Sequence, residues 1–267
     1  MFRPAIYLLR HIGKGAGVGN LIKAEFFILR KSAGFKILMF SSLVSGGLAI
    51  TINFLRIGLT SSKSIGFDEI IACQEMTFYN MIFGCAFVSV FICSGFKNRS
   101  YGLSLLSGSS RLKIFFAKFI VSSIGMFLIS VMFITIPVIT ATINGTITKT
   151  DRDGAGYILL DLVYAIIGFM AQATVIIFLA FVLKNGIATS VTGIGLTYIL
   201  LIIKANMRFY EEPAIEHYIK YIYLYQAELF RLKEVGFSDF VYLTVTIFTL
   251  IIAMTFSALV FERRDLK

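Results

Sequence analysis

The feature that most constrains this chain is a series of six apolar runs, each close to the length that crosses a bilayer. They cover about 35–55, 76–96, 114–143, 158–183, 187–203 and 241–261. A helix needs about 20 apolar residues to span the hydrocarbon core, and helices satisfy their own backbone hydrogen bonds there. The runs therefore predict an all-α, polytopic membrane protein with six transmembrane helices in a single domain, 1–267.

Composition agrees with this class. The chain is 57% hydrophobic and 15% charged, whereas soluble domains carry about 25% charged residues. The gaps between runs reach about 35 residues, below the roughly 40 that usually support an independent core. We therefore expect no appended soluble domain. The early apolar stretch Ala5–Leu9 is too short for a signal peptide, so the first run must act as its own insertion signal.

Residues 18–33 predict an amphipathic helix in the membrane interface, capped by Asn20. Its single acid, Glu25, falls in the middle of the apolar face. A carboxylate there needs a partner or water. The structural interpretation is that Glu25 snorkels to the surface or pairs with Lys23 or Arg111. The functional interpretation is a contact between this helix and the basic loop after the second run.

Charge distribution predicts the orientation. With the N-terminus inside, the inner segments are 1–36, 97–118, 184–186 and 262–267, and they carry 16 basic and 3 acidic residues. The rest of the chain carries 9 basic and 12 acidic residues. Since basic residues accumulate on the cytoplasmic side, both termini are predicted to be cytoplasmic. Positive charge beside apolar spans also argues against nucleic acid as a partner.

The composition of the loop 97–113 predicts that it contacts a cytosolic protein. It is basic, contains no acid, and includes a short helical part, Tyr101–Leu106, followed by a turn at Ser107–Ser110. That helical part can present leucines to a groove on another protein. The candidate contact residues are Glu25, Arg99, Tyr101, Leu103, Leu105, Leu106, Arg111 and Lys113.

The spans carry signs of close helix packing. Ser42 with Gly46, and Thr189 with Gly193, form small-xxx-small pairs that allow helices to approach closely, within the chain or in a dimer. Pro137 is expected to kink the third run, with Thr135 and Thr140 satisfying the freed backbone groups. Lys118 and Asp161 lie one turn inside their spans, where they are expected to snorkel and anchor the helices.

No catalytic or metal site is predicted. The phosphate-binding pattern G-x-x-x-x-G-K-[ST] does not occur, so the chain is not expected to hydrolyse ATP. Glu211, Glu212, Glu216 and His217 form the densest group of possible ligands, but they fall in the outer segment 204–240 and are interpreted as a solvated face. The three cysteines form no C-x-x-C motif, which argues against metal or redox chemistry.

Three stretches resemble a known family. They are LIKAEFFILRKSAGFKILMF (Leu21–Phe40), GFKNRSYGLSLLSGSSRLKIFFAKFI (Gly95–Ile120) and the tail FERRDLK (Phe261–Lys267). With six spans between basic loops, the chain resembles the permease subunit of type-2 ABC transporters, especially the small permeases of lantibiotic or bacteriocin immunity and antimicrobial-peptide export. Relatives often carry a Glu just after the second span, where this chain has Asn98 and Arg99.

The resemblance implies a multi-pass subunit of an ATP-driven exporter in the bacterial plasma membrane. Two separate ABC ATPase subunits would bind ATP and Mg, while this chain would bind no cofactor. A second permease subunit, identical or homologous, would complete the transporter, and an amphipathic or lipid-like substrate would pass between the two along the first, second and fifth spans. The alternatives are an ATP-independent carrier or channel, disfavoured because no ionisable group lies mid-membrane, and an intramembrane enzyme using Glu212, Glu216 and His217.

Overall fold

The computed structural model describes residues 17–60, 77–143, 171, 173–207 and 237–263. This part of the chain is helical throughout, with no strand, as the apolar runs predict. The helices are α1 (Val18–Lys31), α2 (Ala33–Thr60), α3 (Thr77–Lys97), α4 (Ser100–Leu106), α5 (Arg111–Ile143), α6 (Ala173–Leu183), α7 (Gly186–Met207) and α8 (Phe237–Arg263).

Three of these helices are long and apolar enough to cross a membrane, as expected of a membrane protein. The qualifying segments are Ala33–Ile52 in α2, Arg111–Phe133 in α5 and Thr246–Arg263 in α8. The described parts of α3, α6 and α7 contain shorter apolar helices, Ile82–Lys97, Ala173–Leu183 and Gly186–Ile199. A helix thus lies within each predicted run, and the full count of six crossings stays a prediction.

Helix α5 is the centre of the bundle. It packs against α1, α2, α3, α4 and α8. In its apolar segment 61% of the residues are buried inside the protein, against 22% in the segments of α2 and α8. Helices α2 and α8 therefore keep broad apolar faces in the described part of the chain, and such faces suit lipid or another protein chain.

Helix α2 approaches the backbone of α5 through the first small-residue pair. The Ser42 hydroxyl donates to the carbonyl oxygen of Ile129 at 2.8 Å. One turn on, a Cβ added to Gly46 would lie 2.1 Å from the carbonyl oxygen of Phe133. At this pair α2 therefore lies against the backbone of α5 of the same chain.

The α5 helix continues through Pro137 to Ile143. Proline has no N–H, so the carbonyl of Phe133, four residues earlier, loses its helical donor. The hydroxyls of Thr135 and Thr140 do not replace that donor, because they donate to Val131 and Ile136. The freed carbonyl instead faces Gly46, on the side where a Cβ would otherwise stand.

The second small-residue pair joins α7 to α3. Thr189 and Gly193 are buried, with the Thr189 hydroxyl 3.7 Å from the sulfur of Cys93 and the Gly193 backbone against Cys85. A hydrogen bond between the hydroxyls of Ser89 and Ser190 lies in the same contact. Both cysteines are free thiols.

The residues that cap the N-termini of α1 and α7 are defined by the structure. Helix α1 begins at Val18, as predicted, but its N-cap is Gly17, and the Asn20 side chain does not cap it. Between α6 and α7 the chain reverses at Lys184, whose φ is 54°. The Asn185 side chain then caps α7 by accepting from the N–H groups of Ile187 and Ala188 at 3.0 and 3.4 Å.

Several predicted features lie outside the described residues. They are Asp161, the group Glu211, Glu212, Glu216 and His217, most of the outer segments, and the tail beyond Arg263.

Candidate functional site

Five aromatic rings from five helices meet at one end of the bundle. We call Phe96 of α3, Tyr101 of α4, Phe115 of α5, Phe181 of α6 and Phe261 of α8 the aromatic cluster. Its neighbouring ring centroids are 4.7 to 6.2 Å apart. Each ring lies inside a predicted inner segment or within a few residues of one. The loop 97–113, the turn 184–186 and the start of the tail therefore lie at the same end of the bundle. We call it the basic end.

The chain between α3 and α5 forms a short helix with defined limits. Arg99 precedes α4 in the left-handed conformation, with a φ of 53°. At the other end, the N–H of Gly108 donates to Leu105 at 2.9 Å and that of Ser109 to Ser104 at 3.3 Å. This pair of bonds is the Schellman ending, which needs a residue with positive φ. Gly108 supplies it with a φ of 88°.

Tyr101 is the anchor of α4. Its side chain is 2% exposed, its hydroxyl donates to the carbonyl oxygen of Ile92 at 3.0 Å, and its ring packs against Phe96 and Phe261. Burial raises the pKa of Tyr101 well above its usual value, and the nearby negative charge of Glu25 adds to the effect. Tyr101 therefore holds α4 on the bundle and offers no surface to a partner, unlike the sequence-based expectation.

Gly95 leaves the space that this ring needs. A Cβ at position 95 would lie 2.5 Å from two ring atoms of Tyr101. Because the ring is enclosed, we expect Gly95→Ala to lower stability by about 1–3 kcal/mol, the usual cost of overpacking, measured as the midpoint of thermal unfolding in detergent. In a Tyr101→Ala background the same glycine change should cost little. Equal losses in both backgrounds would contradict this contact.

The candidate contact residues on α4 divide into two sets by exposure. Leu106 is 86% exposed and Leu103 is 40% exposed, and Arg99 before them is exposed. Leu105 instead packs against the core. The surface of α4 that another protein can reach therefore consists of Leu103 and Leu106, with Lys97 and Arg99 beside them.

Arg111 is committed to the chain itself. Its guanidinium Nη1 donates to the backbone carbonyl of Glu262 at 2.7 Å, so it ties the start of α5 to the end of α8. Lys113 is partly exposed. Arg111 is likewise partly exposed, so both predicted contact residues keep some access to solvent.

Glu25 pairs with a residue that the sequence analysis assigned to snorkelling. Its Oε2 lies 2.7 Å from the Nζ of Lys118, so the expected partners Lys23 and Arg111 are wrong. Lys118 is itself buried, at 3% exposure, which differs from snorkelling to the interface. Its ammonium lies 4.3 Å from the ring centroid of Phe91 and 5.7 Å from that of Tyr101.

This ion pair joins three helices. Glu25 belongs to α1, Lys118 to α5, and the ring of Tyr101 to α4. A charge taken out of water needs close compensation, and here it receives a carboxylate and two aromatic faces. The functional interpretation of Glu25 as a link toward the loop thus has a geometric basis, through Lys118.

The small-residue pairs predicted for packing or dimer formation are used inside the chain. Ser42 and Thr189 are fully buried, and Gly46 and Gly193 are buried with them. They are therefore not exposed for contact with a second subunit.

Among the described residues, no group of three or more His, Cys, Asp or Glu side chains could hold a metal ion. At the basic end, packed rings connect α4 to α3, α5 and α8, so a force on α4 would reach all three helices. The sequence analysis missed these rings, although one aromatic residue near the same end of several runs was a visible signal.

A comparison of the chain with protein-family models and with curated protein sequences finds no match in either. The fold and the geometry of the basic end are therefore the grounds on which a function can be argued.

Proposed function

We propose that this chain is the membrane subunit of an ATP-driven ABC exporter whose ATPase subunits are separate proteins docked at the basic end. The observation that carries the proposal is helix α4. It is fixed to the bundle by a buried tyrosine and still exposes Leu103 and Leu106 to solvent. An exposed apolar pair flanked by cations suits a helix that docks into a groove.

The proposed coupling uses the rigidity of this helix. A push on Leu106 moves α4 as a unit, since Tyr101 packs between the ends of α3 and α8. The Lys118 ammonium beside the Tyr101 ring and its pair with Glu25 extend the path to α1. ATP-driven closure of two ATPase subunits would thereby tilt the first and third predicted spans together.

The second permease subunit and the substrate belong to the same proposal. Helix α2 exposes a stripe of large apolar side chains, and α7 exposes another. In α2 these are Ile37, Phe40, Val44, Leu48, Ile52 and Leu55. Such faces suit lipid or a second copy or homologue of this chain, with an amphipathic or lipid-like substrate, such as an antimicrobial peptide, moving between the two subunits.

The proposal predicts that α4 governs ATPase binding. We expect Leu106→Asp to reduce copurification of the proposed ABC ATPase subunit by at least about tenfold, as for a central interface residue. Leu103→Asp should act in the same direction. The measurement is the ATPase-to-permease ratio after affinity purification from membranes.

Leu183→Asp is the matched control for Leu103→Asp. Leu183 lies at the end of α6, outside the loop 97–113, and is 38% exposed, against 40% for Leu103. Its substitution should leave the ratio within about twofold, as for a residue outside an interface. Copurification that survives both α4 substitutions would exclude α4 as the docking helix.

An ATP-independent carrier or channel is the competing function. In that case transport of a fluorescent amphipathic peptide into vesicles would proceed with the purified chain alone. Under the present proposal it requires ATP and the ATPase subunit.

A further inference from the structure

Every charged residue on the exposed side of α1 is a cation. Lys23, Arg30 and Lys31 are exposed together with Phe27, which is 37% exposed. At 100° per residue the three cations fall on both sides of Phe27. We call these four residues the α1 face. The ammonium of Lys31 lies 5.8 Å from the centroid of the Phe27 ring.

The structure explains why this face has no negative charge. Glu25 is the single acid of α1, and it points inward to Lys118 at 2.7 Å. The apolar side of α1 is also used internally, since Leu21, Ala24 and Leu29 are buried and α1 packs on α5. The helix is thus not free to bury its apolar side in lipid, and what it offers outward is three cations around one ring.

We propose that the α1 face binds the headgroups of anionic phospholipids in the cytoplasmic leaflet. Charge complementarity favours this occupant, because the cytoplasmic surface is negative and attracts Lys and Arg next to a membrane span. Helix α2 begins two residues after α1 ends, and its exposed apolar side chains start at Ile37. The α1 face therefore adjoins a segment that meets lipid, and the Phe27 ring can enter the headgroup region as aromatic side chains do.

This inference requires a bilayer and the predicted orientation, and it does not require transport or an ATPase. It differs from general amphipathic insertion, in which the apolar side of the helix contacts acyl chains. Here the protein core covers that side, and the contact with lipid is made by the opposite one.

The test uses the absence of tryptophan from the chain. Phe27→Trp introduces a single fluorophore into the α1 face, and the full-length protein is reconstituted in vesicles of mixed zwitterionic and anionic lipid. In one set the anionic phosphatidylglycerol is brominated, and in the other the phosphatidylcholine. At equal mole fraction we expect the brominated anionic lipid to quench the fluorescence at least about twofold more, with the difference falling at high salt.

Two variants in the Phe27→Trp background separate this face from the rest of the basic end. Lys23→Gln, Arg30→Gln and Lys31→Gln together should abolish the preference for anionic lipid. Lys97→Gln, Arg99→Gln and Arg263→Gln remove the same charge from other exposed positions and should leave it. Loss of the preference in the first triple variant, together with its retention in the second, supports the proposal.

Three outcomes overturn it. Equal quenching by the two lipids shows that no headgroup preference exists. A preference that survives the first triple substitution shows that it arises elsewhere. Quenching by neither lipid, with full quenching by aqueous acrylamide, shows that the face meets water or another protein. Each result can be obtained whether or not the chain is an exporter subunit, because the vesicles contain no ATPase.

Discussion

Lys118→Met is expected to destabilise the protein by about 3–5 kcal/mol, the usual cost of removing one partner from a buried ion pair. The substitution keeps much of the side-chain volume but leaves the Glu25 carboxylate, whose Oε2 lies 2.7 Å from the lysine Nζ, without its cation. The carboxylate is on α1 and the lysine on α5, so their contact should weaken first. The thermal midpoint in detergent and protease cleavage between Val18 and Ser32 both report this loss.

A double-mutant cycle separates the pair from its surroundings. Glu25→Gln should also be costly, though Lys118 then keeps the rings of Phe91 and Tyr101 within 4.3 and 5.7 Å. Glu25→Gln with Lys118→Met should recover much of the stability lost in the single variants, since neither charge is then buried alone. Lys36→Met, at an exposed position, should stay within about 0.5 kcal/mol of the wild type. Strictly additive losses from the two substitutions would show that the pair contributes no coupling.

The sequence alone cannot identify the cation that pairs with Glu25, and the reason is geometric. Helical periodicity places Glu25 on the apolar face of α1, and the structure confirms that position. Which cation meets it depends on how α1 crosses α5, and one-dimensional periodicity contains no crossing angle. Lys23 was excluded by its place on the exposed side of the same helix, and Arg111 by its bond to Glu262.

The sequence of α4 likewise does not show which side of the helix is buried. Tyr101 and Leu105 lie on one side of its seven residues, and Leu103 and Leu106 lie on the other. Both sides are apolar, so the pattern cannot tell the core side from the solvent side. Burial of Tyr101 is decided by Gly95, which opens space for the ring from the preceding helix.

The small-residue pairs were predictable because they act locally. Four-residue spacing puts two small side chains on one helix face whatever the neighbour is. The sequence could therefore indicate a close approach at Ser42 and Gly46. It could not distinguish a neighbour in the same chain from one in a second subunit, and the structure assigns α5 of the same chain.

Gly46→Ala is expected to be the most disruptive single-methyl change in the described part of the chain. The added Cβ would lie 2.1 Å from the carbonyl oxygen of Phe133 and 3.1 Å from its carbon. These are backbone atoms of the central helix, so they cannot yield by a side-chain rotation. Either α2 moves away from α5, which strains the 2.8 Å hydrogen bond from Ser42 to Ile129, or the substituted protein fails to pack. A loss of about 3 kcal/mol or more is expected, at the upper end of overpacking costs.

Gly195→Ala is the matched control, because its added Cβ meets nothing within 4 Å. It should be neutral or slightly stabilising, since alanine favours helix more than glycine does. A second variant, Pro137→Ala, tests whether the effect of Gly46→Ala is a steric conflict with the Phe133 carbonyl oxygen. Pro137→Ala restores an N–H that can donate to the Phe133 oxygen, so this carbonyl would depend less on its contact with Gly46. Pro137→Ala should therefore be tolerated alone and should not relieve Gly46→Ala, because the steric conflict is with the oxygen whether or not it is hydrogen-bonded. A Gly46→Ala protein with an unchanged thermal midpoint would mean that α2 does not approach α5 at this point.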